Sequence, residues 1–334
     1  MEKVVEVAED APGGCIGGYR IVRKLGTGGM GTVFEVVHEN LGTHFALKAF
    51  TLGHGHVQFL KERFLAEGRI LARLHHPNLV RVFDLDVDAA TQTPYFVMDL
   101  VLQDGAPRTL ADVKEGSVDD ERLAVWFGPL ASALDYIHDA GIVHRDVKPR
   151  NILLDAHDNV VLGDFGVSRF LSASLRKQLD VEQTAVSETS PKALFIGTAD
   201  YMAPEVRRGE KAAAVADAYS LGVVFFRLLT GFWYENRSNV WGLLAPFKAA
   251  WRPVLQGLLA EKPADRPTRL APLAAKLQAT AKPSSRRFLL FMKVVVLLVG
   301  ALLAFGAWRA WRSHQAVSAL ADDLFAIPPE APEG

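Results

Sequence analysis

The chain has 334 residues, of which 49% are hydrophobic and 22% charged, enough for one large domain or two ordinary domains with a substantial core. This composition excludes a disulfide-rich mini-protein, a collagen-like chain and a mostly disordered chain. The formal net charge is -1, so no overall basic field exists to hold nucleic acid, and no nucleic-acid partner is expected. The single cysteine, Cys15, cannot form an internal disulfide, which favours a reducing compartment for most of the chain.

In chain order, the first feature is a short polar leader, residues 1–18, which we expect to be disordered. Strand-forming segments follow at residues 19–22 and 32–37, and the glycine-rich run GTGGMG lies between them at residues 26–31. Glycines in such a turn let backbone N–H groups approach phosphate oxygens without obstruction by a Cβ atom. The motif alone is weak, because a plain glycine-rich hairpin has the same pattern. A dinucleotide-binding fold is disfavoured, because it requires a helix, not a strand, after the glycines.

The next predicted elements are a strand over residues 45–50, which carries Lys48, and an amphipathic helix over residues 59–74. Glu67 falls at the boundary of the apolar face of that helix, where an unpaired carboxylate would be unfavourable. We therefore expect Glu67 to pair with a basic group, and Lys48 is the obvious partner. A lysine in a strand is otherwise usually a solvated surface residue.

Two polar runs follow apolar segments further along the chain, HRDVKPRN at residues 144–151 and GDFG at residues 163–166. Together with the glycine turn, Lys48 and Glu67 in this order, they resemble the protein kinase superfamily. The resemblance continues through GTADYMAPE at residues 197–205, then Asp217 and Arg266. It is closest to the bacterial eukaryotic-like (Hanks-type) Ser/Thr kinases.

The resemblance implies an α+β fold of two lobes, a small β-rich N-lobe with one regulatory helix and a larger, mostly helical C-lobe. It implies that Asp146 accepts the proton of the substrate hydroxyl, that Lys148 steadies the γ-phosphate, and that Asn151 and Asp164 hold Mg²⁺. The residues expected around ATP are Leu25, Gly26, Thr27, Gly28, Gly29, Met30, Gly31, Val33, Ala46, Lys48, Glu67, Met98, Asp99, Val101 and Leu153. Hard cations prefer the carboxylate, amide and phosphate oxygens of such a site.

The same resemblance implies several residues that support the fold and take no part in the chemistry. Glu205 and Arg266 should form a buried ion pair, and Asp217 should tie the base of the catalytic loop. His144 should pack in a hydrophobic spine with Leu71 and Phe165, and so act neither as a metal ligand nor as a general base.

The resemblance favours a Ser/Thr protein kinase, because Pro149 follows Lys148 and a threonine stands at position 198. Arg145 before Asp146 is typical of kinases whose activation segment is ordered by phosphorylation. The candidate autophosphorylation sites in that segment are Thr184, Ser187, Thr189 and Ser190. A pseudokinase scaffold and a small-molecule kinase are the alternative functions. Retention of Lys48, Asp146, Asn151 and Asp164 disfavours the first, and the 198–205 segment, which resembles a platform for protein substrates, disfavours the second.

Residues 288–308 read FLLFMKVVVLLVGALLAFGAW, in which Lys293 is the one charged residue. Thirteen of these 21 residues are Leu, Val or Phe. Each favours insertion by about 0.3 to 0.6 kcal/mol, whereas one lysine opposes it by at most about 3 kcal/mol. A helix of this length spans a hydrocarbon core of roughly 30 Å. The sequence therefore predicts a transmembrane helix, with a buried or interfacial helix as the alternative.

The expected organisation is a leader at 1–18, a kinase domain at 19–275, a juxtamembrane linker at 276–287, a transmembrane helix at 288–308 and a short extracytoplasmic tail at 309–334. Four basic residues between 276 and 287 precede the apolar run and two follow it, which places the kinase domain in the cytoplasm of a single-pass cell-membrane protein. The helix serves either as an anchor in the bilayer or as a homodimer contact through Gly300 and Ala304.

Overall fold

The computed structural model describes residues 14–28, 31–50, 64–65, 68–164, 199–234, 241–242, 250–281, 305–306 and 308–309. Several sequence-predicted residues lie outside these ranges: Gly29, Met30, Glu67, Phe165, Thr184, Ser187, Thr189, Ser190 and Thr198. The chain divides into two compact units, Met1–Ala279 and Thr280–Gly334.

The N-lobe is built on a six-stranded antiparallel sheet with strand order β1-β2-β3-β4-β6-β5. The strands are β1 Cys15–Ile16, β2 Tyr19–Gly28, β3 Gly31–His38, β4 His44–Phe50, β5 Val82–Val87 and β6 Pro94–Met98. Period-two alternation in β4 divides the side chains between two faces, because Leu47 and Ala49 join the core on the outer face while Ala46 and Lys48 face inward. The predicted strands at 19–22, 32–37 and 45–50 are confirmed.

The helical residues 64–65 and 68–71 pack on the inner face of this sheet. Phe64 stacks on Phe96 of β6 with ring centroids 4.5 Å apart. Glycine in a helix lowers stability by about 1 kcal/mol relative to alanine. The packing around Gly68 explains why a glycine stands there. A Cβ atom there would lie 2.8 Å from Leu85 and 3.0 Å from Phe96, so the missing side chain lets the helix approach the sheet.

The leader predicted over residues 1–18 is wrong at its C-terminal end. Residues 15–16 form β1, which pairs antiparallel with β2, and Ile16 is buried in the outer-face core. The N–H of Gly17 also donates to the Asp88 carboxylate at 3.3 Å. A two-residue strand has too little periodicity to be recognised in a sequence.

In its described residues, the C-lobe consists mainly of helices and includes a short antiparallel hairpin. The helices are α1 Asp120–Asp139, α2 Pro204–Arg207, α3 Ala214–Thr230, α4 Trp251–Leu258 and α5 Ala271–Ala281, and the hairpin strands are β7 Ile152–Leu154 and β8 Val160–Leu162. Helix α3 is buried around nearly its whole circumference, which matches its apolar sequence AVADAYSLGVVFFRLLT. It is the central helix against which α1 and α4 pack.

Two long-range polar contacts fix the end of this lobe. Arg266 donates to both carboxylate oxygens of Glu205, at 2.6 and 2.8 Å, and both side chains are buried. This confirms the predicted ion pair. Asp135 of α1 accepts hydrogen bonds from the N–H groups of Leu270 and Ala271, and so satisfies the free N–H groups at the start of α5.

The expected C-terminal boundary of the kinase domain at residue 275 falls inside a helix, because α5 continues to Ala281. Part of the predicted linker, residues 276–281, is therefore helical. Most of the apolar run 288–308 lies outside the described residues, and Phe305 and Trp308 within it are helical. Among the residues that the structure describes, no helix has the length and hydropathy to cross a membrane.

Candidate active site

The glycine-rich turn joins β2 to β3, with Thr27 opposite Thr32 and Gly28 opposite Gly31. Gly31 adopts φ 148°, and a Cβ atom there would overlap the carbonyl oxygen of Ala49. Only glycine fits that position, because the turn lies directly against β4. Thr27 and Gly28 are exposed at the tip, so the backbone there is open to a ligand.

Cross-strand pairing aligns the predicted nucleotide residues on the inner face of the sheet. Val33 lies opposite Lys48, and Lys48 lies opposite Phe96. In the next row, Ala46 lies opposite Met98 at the end of β6. Val33, Ala46, Lys48 and Met98 therefore line one surface, with Leu25 half-buried on the adjoining strand β2.

The segment that leaves the sheet after Met98 begins with a reciprocal contact. The Asp99 N–H donates to the Arg81 carbonyl oxygen at 3.0 Å, and the Asp99 carboxylate accepts from the Arg81 N–H at 2.9 Å. Asp99 and Val101 are thus held at the start of the connector between the lobes, which we define as residues 99–105. Leu153 lies across the site on β7, half-buried and in contact range of Gly163.

Asp146 and its neighbours form a compact polar cluster on the loop after α1. Lys148 Nζ lies 2.8 Å from Asp146 Oδ2. Asn151 Nδ2 donates to the same carboxylate oxygen at 2.9 Å and to the Asp146 carbonyl at 2.7 Å. The orientation of the Asp146 carboxylate is therefore fixed from two sides, and its side chain is 10% exposed.

The loop itself is held by Asp217 from α3. The Asp217 carboxylate accepts the N–H groups of His144 at 2.7 Å and Arg145 at 2.8 Å, which confirms the predicted tie. Arg145 has φ 65°, a left-handed conformation that a non-glycine residue adopts only when its surroundings enforce it. His138 of α1 completes the contact, with Nε2 2.9 Å from Asp217 Oδ2.

His144 is fully buried and packs beneath the site. Burial lowers the pKa of its imidazole, although the carboxylates of Asp217 and Asp146 act in the opposite direction. Its Nε2 lies 3.0 Å from the carbonyl oxygen of Gly163. His144 and Leu71 are both buried, whereas Phe165, the third residue of the predicted spine, lies outside the described residues.

Asp164 connects the two lobes. It follows β8 with φ 53°, and its Oδ1 lies 2.5 Å from Lys48 Nζ. Lys48 is 13% exposed and Asp164 is 43% exposed, so the carboxylate faces the open side of the site. The expected partner Glu67 lies outside the described residues, and the Lys48–Asp164 contact was not predicted.

The donor set fits a hard divalent cation. Because the Asn151 amide nitrogen is used on Asp146, its amide oxygen is the atom left for a metal. The partly exposed Asp164 carboxylate supplies a second oxygen. Mg²⁺ is usually held by one or two such side chains together with phosphate oxygens and water.

Sequence reasoning missed a group of polar side chains beside this site, which consists of Arg23, Glu35 and His44. Glu35 is a buried carboxylate on β3, with Arg23 Nε at 2.6 Å and His44 Nδ1 at 2.7 Å. The available signal was a glutamate within the otherwise apolar strand sequence VFEVV. Its partners could not be identified without the strand register.

Comparison with known proteins agrees with this geometry. The family model described as protein kinase domain matches residues 19–271. Serine/threonine-protein kinase Pkn1 of Myxococcus xanthus is 32% identical over 310 residues, which cover 82% of this chain and 40% of Pkn1. Serine/threonine-protein kinase PknA of Mycobacterium tuberculosis is 35% identical over 218 residues, 64% of this chain and 47% of PknA.

Solved structures show the same fold. The crystal structure of the Mycobacterium tuberculosis PknI kinase domain has a TM-score of 0.60 and 26% identity, and the match covers 81% of this chain and 99% of that one. The chain spans less than half the length of the two curated relatives named above. The family match covers most of the chain, so this chain belongs to the protein kinase family.

Proposed function

We propose that the chain is an ATP-dependent Ser/Thr protein kinase that transfers the γ-phosphate of ATP to protein hydroxyl groups. The observation that carries the proposal is the cluster of Asp146, Lys148 and Asn151 on one loop. The Gly163 N–H donates to the Asn151 carbonyl oxygen at 2.8 Å and so joins this loop to the segment of the Lys48–Asp164 pair. Phosphoryl transfer passes through a loose transition state, so catalysis depends on positioning and on charge stabilisation. The cluster supplies both.

Each side chain has a distinct task in this reaction. Asp146, oriented by Lys148 and Asn151, accepts the proton of the attacking hydroxyl. Lys148 stands within hydrogen-bond distance of that carboxylate and can also reach the transferring phosphate, whose charge it offsets. Lys48 leaves Asp164 to contact the α and β phosphates. Bound Mg²⁺ would neutralise phosphate charge, held by oxygens of Asn151 and Asp164.

The names of the relatives support serine and threonine as acceptors, since Pkn1 and PknA are both called serine/threonine-protein kinases. The Lys148–Pro149 pair and Thr198 of this chain favour the same acceptors. The pseudokinase alternative is disfavoured, because the four residues whose loss would mark it are all retained: Lys48, Asp146, Asn151 and Asp164.

The test is transfer of labelled γ-phosphate by the full chain, purified in detergent, in the presence of Mg²⁺. We expect label on Ser or Thr, and at least a hundredfold slower transfer by Asp146→Asn, of the order attributed to a general base. The matched control is Asp139→Asn, which removes an exposed carboxylate paired with Arg269 and should leave transfer unchanged. Label on tyrosine, or no transfer by a chain that binds ATP, would contradict the proposal.

Membrane anchoring by residues 288–308 is part of the proposal. The support is compositional, since 13 of the 21 residues are Leu, Val or Phe and basic residues flank the run. We expect the full chain to stay with membranes at high salt and high pH, and a chain ending at Ala281 to be released. The kinase domain should be digested by protease only in opened cells. Release of the full chain by alkali would contradict a spanning helix.

Autophosphorylation on the activation segment completes the proposal. The candidates are Thr184, Ser187, Thr189 and Ser190. Anchored copies share a two-dimensional surface, which raises their effective concentration for transfer between molecules. A homodimer contact through Gly300 and Ala304 would raise it further. Equal autophosphorylation by the full chain and a chain ending at Ala281, at matched dilution, would show that the anchor does not contribute.

A further inference from the structure

Glu35 is a buried charged residue on the ligand-facing side of the N-lobe sheet. It lies on β3 two residues from Val33, directly opposite Ala46 of β4, and is 7% exposed. Val33 and Ala46 form the surface expected to cover adenine. A carboxylate at this depth is stable only when opposite charge and hydrogen bonds compensate it.

Two side chains provide that compensation. Arg23 Nε donates to Glu35 Oε2 at 2.6 Å, and His44 Nδ1 lies 2.7 Å from Glu35 Oε1. Burial alone would raise the pKa of Glu35, but the hydrogen bonds from Arg23 and His44 outweigh it and hold the pKa below its usual value. Glu35 is therefore an ionised anchor for the Arg23 guanidinium.

The same guanidinium makes a second contact, outside the sheet. Arg23 Nη2 donates to the carbonyl oxygen of Gly105 at 2.7 Å. Gly105 lies in a tight turn closed by two hydrogen bonds between Gln103 and Ala106, of 2.9 and 3.1 Å. Asp104 and Gly105 adopt left-handed φ values of 53° and 77° in this turn. The carbonyl group that Arg23 contacts is thus held in place by its own turn.

The two contacts join opposite walls of the nucleotide site. One wall is the β2–β3 hairpin, whose tip carries the glycine turn, and the other is the connector, residues 99–105. We propose that Arg23 is a positioning residue for the nucleotide, because its guanidinium fixes the spacing between the hairpin and the connector. The inference rests on the proposed function, since it assigns a role within the same nucleotide site. A site held at the required spacing binds with less ordering cost than one that must close on its ligand.

The chemistry of arginine makes this role testable. The guanidinium is a rigid fork whose Nε and Nη2 serve two acceptors at once, whereas lysine has one nitrogen at the end of a flexible chain. Arg23→Lys keeps a positive charge for Glu35 but cannot also hold Gly105. Arg23→Ala removes both contacts. The matched control is Arg20→Ala, which removes an exposed arginine from the same strand.

The experiment measures the Kd for Mg·ADP by calorimetry and the thermal midpoint of unfolding, both on the full chain. For Arg23→Lys we expect Kd to rise about three- to tenfold, because one charge-assisted hydrogen bond is lost and only partly replaced by a bond to water. The thermal midpoint of unfolding should not change. Arg23→Ala should show the same rise in Kd together with a lower midpoint. Arg20→Ala should change neither.

Kinetics provide an independent measurement. Contacts made equally in the ground and transition states raise KM when removed and leave kcat unchanged, and this is the pattern expected for ATP with Arg23→Lys. If Arg23→Lys binds Mg·ADP with the Kd of the wild type, the inference is overturned, and the role of Arg23 is to stabilise the fold through its ion pair with Glu35. A wild-type chain that binds Mg·ADP but transfers no phosphate would contradict the proposed function alone, and the Kd comparison would still decide the role of Arg23. A wild-type chain that binds no nucleotide would overturn both.

Discussion

At the scale of single residues, the loop that carries Asp146 depends on a buried carboxylate. Asp217 is 1% exposed and bonds the N–H groups of His144 and Arg145 as well as the His138 ring. These contacts hold Arg145 in its left-handed conformation. The next residue is Asp146, so its position follows from the backbone that Asp217 fixes.

The first prediction concerns Asp217→Asn. The amide retains one acceptor oxygen but turns an NH₂ donor toward an N–H group, so one of the two backbone contacts becomes unfavourable. We expect a loss of about 2 to 4 kcal/mol in the free energy of unfolding, as for a broken buried charge-assisted network. Transfer activity should fall even at temperatures where the variant is folded. Wild-type stability and activity in urea titrations and transfer assays would contradict this role.

The second prediction concerns the pH dependence of stability. Burial lowers the pKa of His144 from its ordinary 6.5, so the folded protein resists protonation that the unfolded chain accepts. This contribution to the free energy of unfolding is complete above pH 6.5. It is lost as the pH falls toward the pKa of His144 in the folded protein, by up to about 1.4 kcal/mol per pH unit for one proton. Unfolding in urea at pH 7.5, 6.5 and 5.5 measures it.

His144→Phe should flatten this slope, because the titrating group is removed. His76 is the comparison, since burial lowers its pKa as well but it is only half-buried. His76→Gln should therefore remove a smaller part of the slope. Equal slopes for the wild type and His144→Phe would show that His144 does not control acid stability.

At the scale of elements, a buried ion pair fastens helix α2 to the segment before α5. Besides Glu205, Arg266 donates to the carbonyl oxygens of Ala260 and Glu261 at 2.7 and 3.0 Å, and its guanidinium lies 4.8 Å from the Tyr219 ring centroid. Burial would raise the pKa of Glu205, but the Arg266 hydrogen bonds hold it below its usual value. Its contribution to stability is therefore present above about pH 4.5 and is lost in acid.

The third prediction follows from this pair. Removing one partner leaves a buried charge without compensation, so Arg266→Met and Glu205→Gln should each lower the free energy of unfolding, Arg266→Met by about 3 to 5 kcal/mol. The double variant should lose less than the sum of the two, because no charge is then left unpaired. Urea unfolding of the four proteins measures the coupling. Additive losses would show that the two residues act independently.

How much of the fold and of the site the sequence predicts depends on whether a feature is local. The strands that flank the glycine turn and the strand of Lys48 are continuous in sequence, so their local patterns predict them. The loop of Asp146 is predicted by its resemblance to protein kinases. The Arg23–Glu35 contact depends on strand register, which two bulges in the β2–β3 pairing shift. Asp135 stabilises the start of α5 from a helix more than 130 residues earlier in the chain. Contacts of this kind are set by tertiary packing and leave no local pattern.

At the scale of the whole molecule, the unit Met1–Ala279 contains the residues of the proposed nucleotide site, which come from both lobes. Lys48 from the sheet bonds Asp164 of the C-lobe, and Arg23 from the sheet bonds the connector at Gly105. The kinase resemblance predicts Lys48 and Asp164 as site residues without predicting their contact, and it does not predict Arg23 or Gly105. Which pairs meet depends on how the lobes close, and this is visible only in the folded chain.

The measurement that tests the central claim most directly compares binding and transfer in the same preparations of wild type and Asp146→Asn. Asp146 is assigned to the substrate hydroxyl and not to the nucleotide, so the variant should bind Mg·ATP within about twofold of the wild type while transferring phosphate at least a hundredfold more slowly. Transfer by Asp146→Asn at the wild-type rate would contradict the assignment of this loop as the catalytic centre.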